Sequence, residues 1–243
     1  MRIMTFNLWV GGKSDERCDR VIQMIKKYAP DTIGFQEADA YWMNALKNAL
    51  CDAYSFAGDG RDGNDSSEHN PIFYKRSVFD LIDSGTRWLS DTPNVISKHP
   101  DSSLNRIYTF VTLKRKSDET ELTHVNTHFD HIGEQARISQ AEILAKFVSP
   151  ISDRPLIVTG DMNTSFGSVP YKTIENAGLT DAYKQVKDAI QSYTFTNYGN
   201  DSMIIDFVFT SKSLPCTVYK VCNEKINGDF PSDHHPVYVE ADI

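Results

Sequence analysis

What this chain has little of narrows its chemistry before any motif is considered. Its four cysteines, Cys18, Cys51, Cys216 and Cys222, form no C-x-x-C pair and no regular spacing. They suggest neither a zinc site nor a disulfide framework, and the expectation is reduced cysteines in the core. No apolar run approaches the ~20 residues of a membrane span. Met1 to Val10 runs directly into a strand pattern rather than a leader, so the expected location is cytoplasmic, with no membrane partner. Basic residues are in deficit: 25 lysines and arginines stand against 33 acids, a formal net charge of -8. That balance does not suit tracking a long polyanion through many cationic contacts. It suits a small phosphorylated substrate neutralised by a metal.

What is present is a series of apolar strands ending in polar groups. Leu156 to Asn163 (LIVTGDMN) reads as a buried strand followed by Gly160, Asp161 and Asn163. Side chains two apart on extended chain share a face, so Asp161 and Asn163 aim at one point past the sheet edge, and Gly160 allows close backbone approach. The same design recurs. Arg2 to Val10 alternates Ile3, Thr5 and Asn7 against Met4, Phe6 and Leu8, and Thr32 to Gln36 ends in Glu37. Asn126, His128 and Asp130 share a face at the end of Leu122 to Phe129, and His128 is placed in the site. Met203 to Thr210 (MIIDFVFT) carries one carboxylate, Asp206, inside an apolar strand, where it must find a metal or a donor. Pro231 to Pro236 sets Asp233 and His234 at the entrance of the final strand, Val237 to Ile243.

Between these segments, Asp15 to Tyr28, Ala38 to Leu50, Gly133 to Val148 and Val169 to Asn176 read as helices, with Asp181 to Ile190 a mainly polar segment. Pro71 to Tyr74 and Val78 to Leu89 read as adjacent strands, and Arg106 to Lys114 with Leu122 to Phe129 as a hairpin. The loop Gly58 to His69 lacks the closing Glu of an EF-hand; the expectation is a substrate-facing rim with His69 and Asn70 at its base. Arg106 can offer a bidentate fork to phosphate, Arg137 can face site or solvent, and His99 is left on the surface.

Carboxylates and amide oxygens without thiolates are hard-ligand chemistry, favouring Mg²⁺ or Mn²⁺ over zinc. Two histidines and the remaining carboxylates can supply a base, an acid and donors to a developing oxyanion. The set describes metal-assisted hydrolysis of a phosphoester.

TFNLW, GFQE, NTHFDH, GDMN, IIDFVF and SDHHP, in that order from Thr5 to Pro236, resemble the endonuclease/exonuclease/phosphatase superfamily, the group of DNase I, apurinic endonucleases, inositol polyphosphate 5-phosphatases and sphingomyelinases. Asp83 to Thr92 and FDHIGEQAR are most similar to its compact bacterial metal-dependent hydrolases. The resemblance implies one domain over 1–243 in the DNase I-like fold: a four-layer α/β sandwich of two mixed, mostly antiparallel sheets flanked by helices. Pattern alone reaches only α+β or α/β. The resemblance also implies Glu37 as principal metal ligand with Asn7 and Asp233 close by. Asp161 would activate or position the attacking water, and Asn163 would hold it or a phosphate oxygen. Asp206 would accept a hydrogen bond from an imidazolium His234, and His128 would contact phosphate or assist the leaving group. No long basic insert of the kind used to grip a duplex is present. A phosphatase or phosphodiesterase acting on a small compound is therefore expected, with no obligate protein partner. The alternatives are a nuclease or oligonucleotide 3'-exonuclease, and a non-catalytic phosphoester-binding protein.

Overall fold

The computed structural model describes residues 1–242. In chain order its strands are β1 (Arg2–Asn7), β2 (Thr32–Gln36), β3 (Tyr54–Ala57), β4 (Ile72–Lys75), β5 (Phe79–Trp88), β6 (Ile107–Arg115), β7 (Glu121–His128), β8 (Leu156–Asp161), β9 (Leu179–Asp181), β10 (Asp206–Ser211), β11 (Cys216–Val221) and β12 (Val237–Ala241). The helices are α1 (Asp15–Tyr28), α2 (Ala40–Leu50), α3 (Glu134–Val148), α4 (Val169–Asn176) and the short α5 (Ala182–Gln185).

The strands form two six-stranded sheets, ordered β11-β12-β1-β2-β4-β3 and β5-β6-β7-β8-β10-β9. Each has one parallel pair, β1 with β2 and β7 with β8, and is otherwise antiparallel. Alternation explains the layering. On β1, Met4 and Phe6 pack with Val21, Met24 and Ile25 of α1 and Trp42 and Leu46 of α2, while Ile3 joins Val111, Ile157, Val208 and Val239 between the sheets. On the far side of the second sheet, Val125 and Val158 meet Ala141 and Leu144 of α3 and Tyr171 and Ile174 of α4. The result is the expected four-layer sandwich of two mixed sheets between helices.

Toward one edge the layer between the sheets turns from apolar to polar. Thr32 and Thr159 hydrogen-bond the two ring nitrogens of His124, each at 2.8 Å, and Asn126 Oδ1 accepts from Gln36 Nε2 at 2.6 Å and Thr159 Oγ1 at 3.0 Å. Gly34 makes room for this: a Cβ there would lie 2.4 Å from Asn126 Oδ1 and Thr159 Oγ1. Buried polar groups cluster where each finds a partner, and the site lies just beyond them.

Several expectations change. β4 and β5 are not neighbours; the chain crosses from one sheet to the other at Arg76 to Val78, so strands close in sequence do not pair. β9 and β11, each a short or half-exposed strand without clear alternation, had no counterpart in the sequence reading. The strand read from Met203 begins only at Asp206, because Met203 is bridged to Phe195 instead. α2 begins at Ala40 with Asp39 as N-cap, since Glu37 takes a left-handed backbone at φ 57. α3 begins at Glu134, one residue later than read. β12 ends at Ala241, and residue 243 of the strand read there lies outside the described residues. All four cysteines are free thiols, but only Cys216 and Cys222 are buried; Cys51 is exposed. Among the described residues no helix is long and apolar enough to cross a membrane.

Candidate active site

The polar edge opens into a cleft of about 330 Å³ lined by Glu37, His128, Asp161, Asn163, Asp233 and His234, with Arg61, Glu68, Arg106 and His131 on its wall and Leu104, Phe195, Met203 and Ile205 among its apolar parts. The first four come from a strand end or the residues just past it, and Asp233 and His234 from the segment leading into β12. The parallel register of β7 and β8 sets His128 beside Asp161, and the antiparallel register of β8 and β10 sets Asp161 beside Asp206. Close approach of β7 and β8 depends on Gly160, where a Cβ would stand 2.3 Å from the Thr127 carbonyl oxygen.

Asn7 ties the two sheets together at the site. Its Nδ2 donates to Glu37 Oε1 at 3.1 Å and to Asp161 Oδ2 at 2.9 Å, while its Oδ1 accepts from the Trp9 amide. In this arrangement Asn7 presents its amide nitrogen to the two carboxylates. Glu37 Oε2 accepts from the Val10 amide at 2.8 Å, and its left-handed backbone swings the carboxylate into the cleft and away from α2. Asn163, also left-handed at φ 44, closes a turn on Asp161 through its amide, and its Nδ2 donates to His128 Nε2 at 3.0 Å and to the Phe129 carbonyl.

His234 is held from three sides. Its Nδ1 donates to Asp206 Oδ2 at 2.8 Å, its Nε2 lies 3.8 Å from Asp161 Oδ2, and Phe195 packs on the ring at 4.8 Å between centroids. Thr194 Oγ1 accepts from the Ile205 and Asp206 amides, fixing the point where β10 begins. Ser232 Oγ donates to the Asn7 carbonyl and holds the entrance of β12 against β1.

The electrostatics follow from burial. Burial would lower the His234 pKa, but the charge and hydrogen bond of Asp206, with Asp161 and Asp233 behind, raise it to about 10, so the ring is an imidazolium at neutral pH. His128 goes the other way: burial, then the charges of Arg106 and His234, push it well below the ordinary range and keep it neutral. Burial and the neighbouring Asp206 charge raise Asp161 to about 7, and burial raises Asp233. Two imidazoles that face the same Asp161 carboxylate, at 3.4 and 3.8 Å, thus differ in protonation state.

The site fits a hard divalent cation. Glu37, His128 and Asp161 present ligand atoms within 4.8 Å of one another, as do Asp161, Asp206 and His234. Burial and the Asp206 charge raise Asp161 although His234 partly compensates it, and a cation would relieve what remains. The donors are carboxylate oxygens and imidazole with no thiol, a set able to hold a divalent cation. Glu37 and Asp161, with Asp233 on the same wall, would hold it; Asn7 would join as a ligand only with its amide turned over, giving up the Trp9 contact.

Not every candidate reaches the cleft. His69 and Asn70 are buried staples: His69 Nδ1 meets the Ala38 carbonyl at 3.1 Å, and Asn70 Nδ2 donates to the Ile107 carbonyl at 3.0 Å. Arg137 donates to the Asp130 carbonyl and does not line the cleft. Asn126 joins the sheets instead of the site. Asp130 accepts from Ser102, Ser103, Ile132 and Gly133, and these bonds outweigh burial and hold its pKa well below the usual carboxylate range. Arg106 does line the cleft, 4% exposed, with its Nη2 donating to His131 Nδ1 at 3.0 Å. The sequence reading missed Arg61, Glu68, Phe195 and the cleft position of His131. One signal for the first two was available: they are the only arginine and the only glutamate in an otherwise Gly-, Asp-, Asn- and Ser-rich loop.

A two-sheet sandwich with carboxylates, an imidazolium and a neutral imidazole around one strand-end cleft defines a phosphoester hydrolase. The chain belongs to the endonuclease/exonuclease/phosphatase family, whose model matches residues 4–234. It is similar to a mannosyl-6-phosphatase of Bacteroides thetaiotaomicron, at 31% identity and TM-score 0.91 over 100% of both chains. An endonuclease/exonuclease/phosphatase family protein of the same organism aligns at 32% identity and TM-score 0.91, covering 99% of this chain and 97% of that one. The human Nocturnin catalytic domain, at 22% identity and TM-score 0.79 over 100% and 93%, shares the fold. No curated protein matches the chain.

Proposed function

We propose that the protein is a Mg²⁺- or Mn²⁺-dependent phosphatase that hydrolyses the phosphate monoester of a small compound by water attack at phosphorus. One observation carries the reading: Glu37, His128, Asp161, Asn163, Asp233 and His234 line a single cleft of about 330 Å³, room for a phosphate and a small alcohol. In this reading Asp161 activates or positions the attacking water, and Asn163 orients that water or a phosphate oxygen. His234, kept protonated by Asp206, donates to a non-bridging oxygen as charge builds in the transition state. Neutral His128, backed by Asn163, contacts the phosphoryl group or the leaving oxygen. A divalent ion held by Glu37 and Asp161 would neutralise phosphate charge.

The likeness to a mannosyl-6-phosphatase supports placing sugar phosphates first among candidate substrates. The test is hydrolysis of phosphate monoesters, diesters and single-stranded oligonucleotides by chelated protein resupplied with Mg²⁺ or Mn²⁺. Turnover confined to monoesters is expected. Turnover confined to oligonucleotides would make the protein a nuclease, and binding of phosphoesters without turnover would make it a binding protein.

A further inference from the structure

Opposite in chemistry to the carboxylate side of the cleft is a wall that the phosphoryl reaction does not use. Arg61 and Glu68 leave the loop between β3 and β4, pair at 2.8 Å, and are 13% and 16% exposed. The pair is prearranged. The Arg61 amide donates to the Glu68 carbonyl at 2.9 Å, Trp88 Nε1 donates to the Arg61 carbonyl at 2.8 Å, and Asn105 holds Asp62 at 2.8 Å. Beside it, Arg106 Nε lies 3.6 Å from Asp130.

The charges on this wall balance. Arg61 is met by Glu68 and Arg106 by Asp130, and His131 is kept neutral by burial and the adjacent Arg106 charge. A second phosphate would ask for cations not already neutralised. Hydrogen-bonding groups nonetheless face the cleft: Arg61, Arg106 and Glu68 all line it, so guanidinium donors and a carboxylate acceptor stand side by side there. A carboxylate that can accept, next to guanidinium nitrogens that can donate, matches hydroxyl groups, each of which does both. Leu104, Phe195 and Met203 add an apolar surface for a carbon skeleton.

We infer that Arg61 and Glu68 form a hydroxyl-reading subsite, so that the phosphate is carried by a polyol or sugar. The inference rests on the phosphatase reading above. Its test compares kcat/KM for a hexose 6-phosphate with that for phenyl phosphate, which shares the phosphoryl group and lacks hydroxyls. In Glu68→Gln and in Arg61→Lys, which keeps the charge but loses the fork, the ratio should fall about tenfold or more, chiefly through KM for the sugar phosphate. An unchanged ratio, or an equal fall on both substrates, would overturn the subsite. So would a wild-type preference for a hexose bisphosphate over the monophosphate, which would mark an anion site. If the wild type hydrolyses neither compound, the phosphatase reading fails by itself. Calorimetry then decides the subsite: tighter binding of hexose 6-phosphate than of inorganic phosphate, lost in Glu68→Gln, supports it, and no such preference overturns it.

Discussion

Asp161 and Asp206 are register partners across the antiparallel ladder of β8 and β10, so two buried carboxylates stand side by side at the sheet edge. Like charges in that position are costly unless something positive joins them. His234 does so in part, with Nδ1 at 2.8 Å from Asp206 and Nε2 at 3.8 Å from Asp161. The imidazolium meets Asp206 directly and Asp161 at longer range. What remains on Asp161 is available to a metal ion or to a proton from water.

The proposed cation requirement should appear first at Glu37. Glu37→Gln keeps the shape and the Val10 contact but removes the charge a hard cation prefers. Weaker Mg²⁺ binding by calorimetry and sharply lower turnover are expected. Unchanged metal affinity would sink the assignment.

Metal binding should also become more stabilising as pH rises. The Asp161 pKa is raised from 3.8 to about 7 in the folded protein, so this group's contribution to stability is fully present below 3.8 and is lost as pH climbs through about 7. A divalent ion offsets that loss by favouring the ionised form. The increase in Tm caused by Mg²⁺ or Mn²⁺ should therefore be larger at about pH 8 than at about pH 5, and should shrink in Asp161→Asn. Chelation should abolish turnover while leaving the protein folded. Equal increments at both pH values would separate Asp161 from the ion.

Close approach of the sheets should be sensitive at Gly34. A Cβ there meets Asn126 Oδ1 and Thr159 Oγ1 at 2.4 Å, and both atoms are committed to buried hydrogen bonds. Gly34→Ala should cost about 1–3 kcal/mol in urea unfolding through overpacking of this layer. A variant as stable as the parent would show that the sheets can shift apart freely.

These sites differ in how far the sequence disclosed them. Period-two alternation and a polar residue ending an apolar run were enough to single out Glu37, His128, Asp161 and Asn163, because strand geometry alone decides which face each takes. The same pattern does not measure depth. Asn126 shares a face with His128, yet one pleat further back it lies between the sheets, bonded to Phe35 and Gln36. Asp206 was legible as a costly charge, but its place at the start of β10 depends on Thr194, which is distant in sequence. Arg61, Glu68 and Phe195 sit on loops whose positions are set by Trp88, Asn105 and Met203, contacts no local periodicity encodes. The fold's layers followed from alternation, whereas the crossing between β4 and β5 had no local signal.

The pairing of Asp206 with His234 gives the sharpest expectation. Asp206 Oδ2 accepts from His234 Nδ1 at 2.8 Å, and its charge is the principal reason that the ring's pKa stands near 10 despite burial. Because the folded pKa is raised above 6.5, the stability this pair contributes is fully present below pH 6.5 and is lost as pH rises through about 10. In the proposed mechanism the imidazolium is the active form, so the same pKa would set an alkaline limit on turnover. Asp206→Asn keeps the shape and removes the charge. The His234 pKa should fall, the alkaline limb of the rate profile should move to lower pH, and kcat should drop on the order of 10² through lost transition-state stabilisation. NMR titration of His234 in both proteins reads the first effect directly and the pH profile reads the second. An unchanged pKa with near-normal turnover would show that Asp206 does not hold the imidazolium and that the charge on His234 has another source.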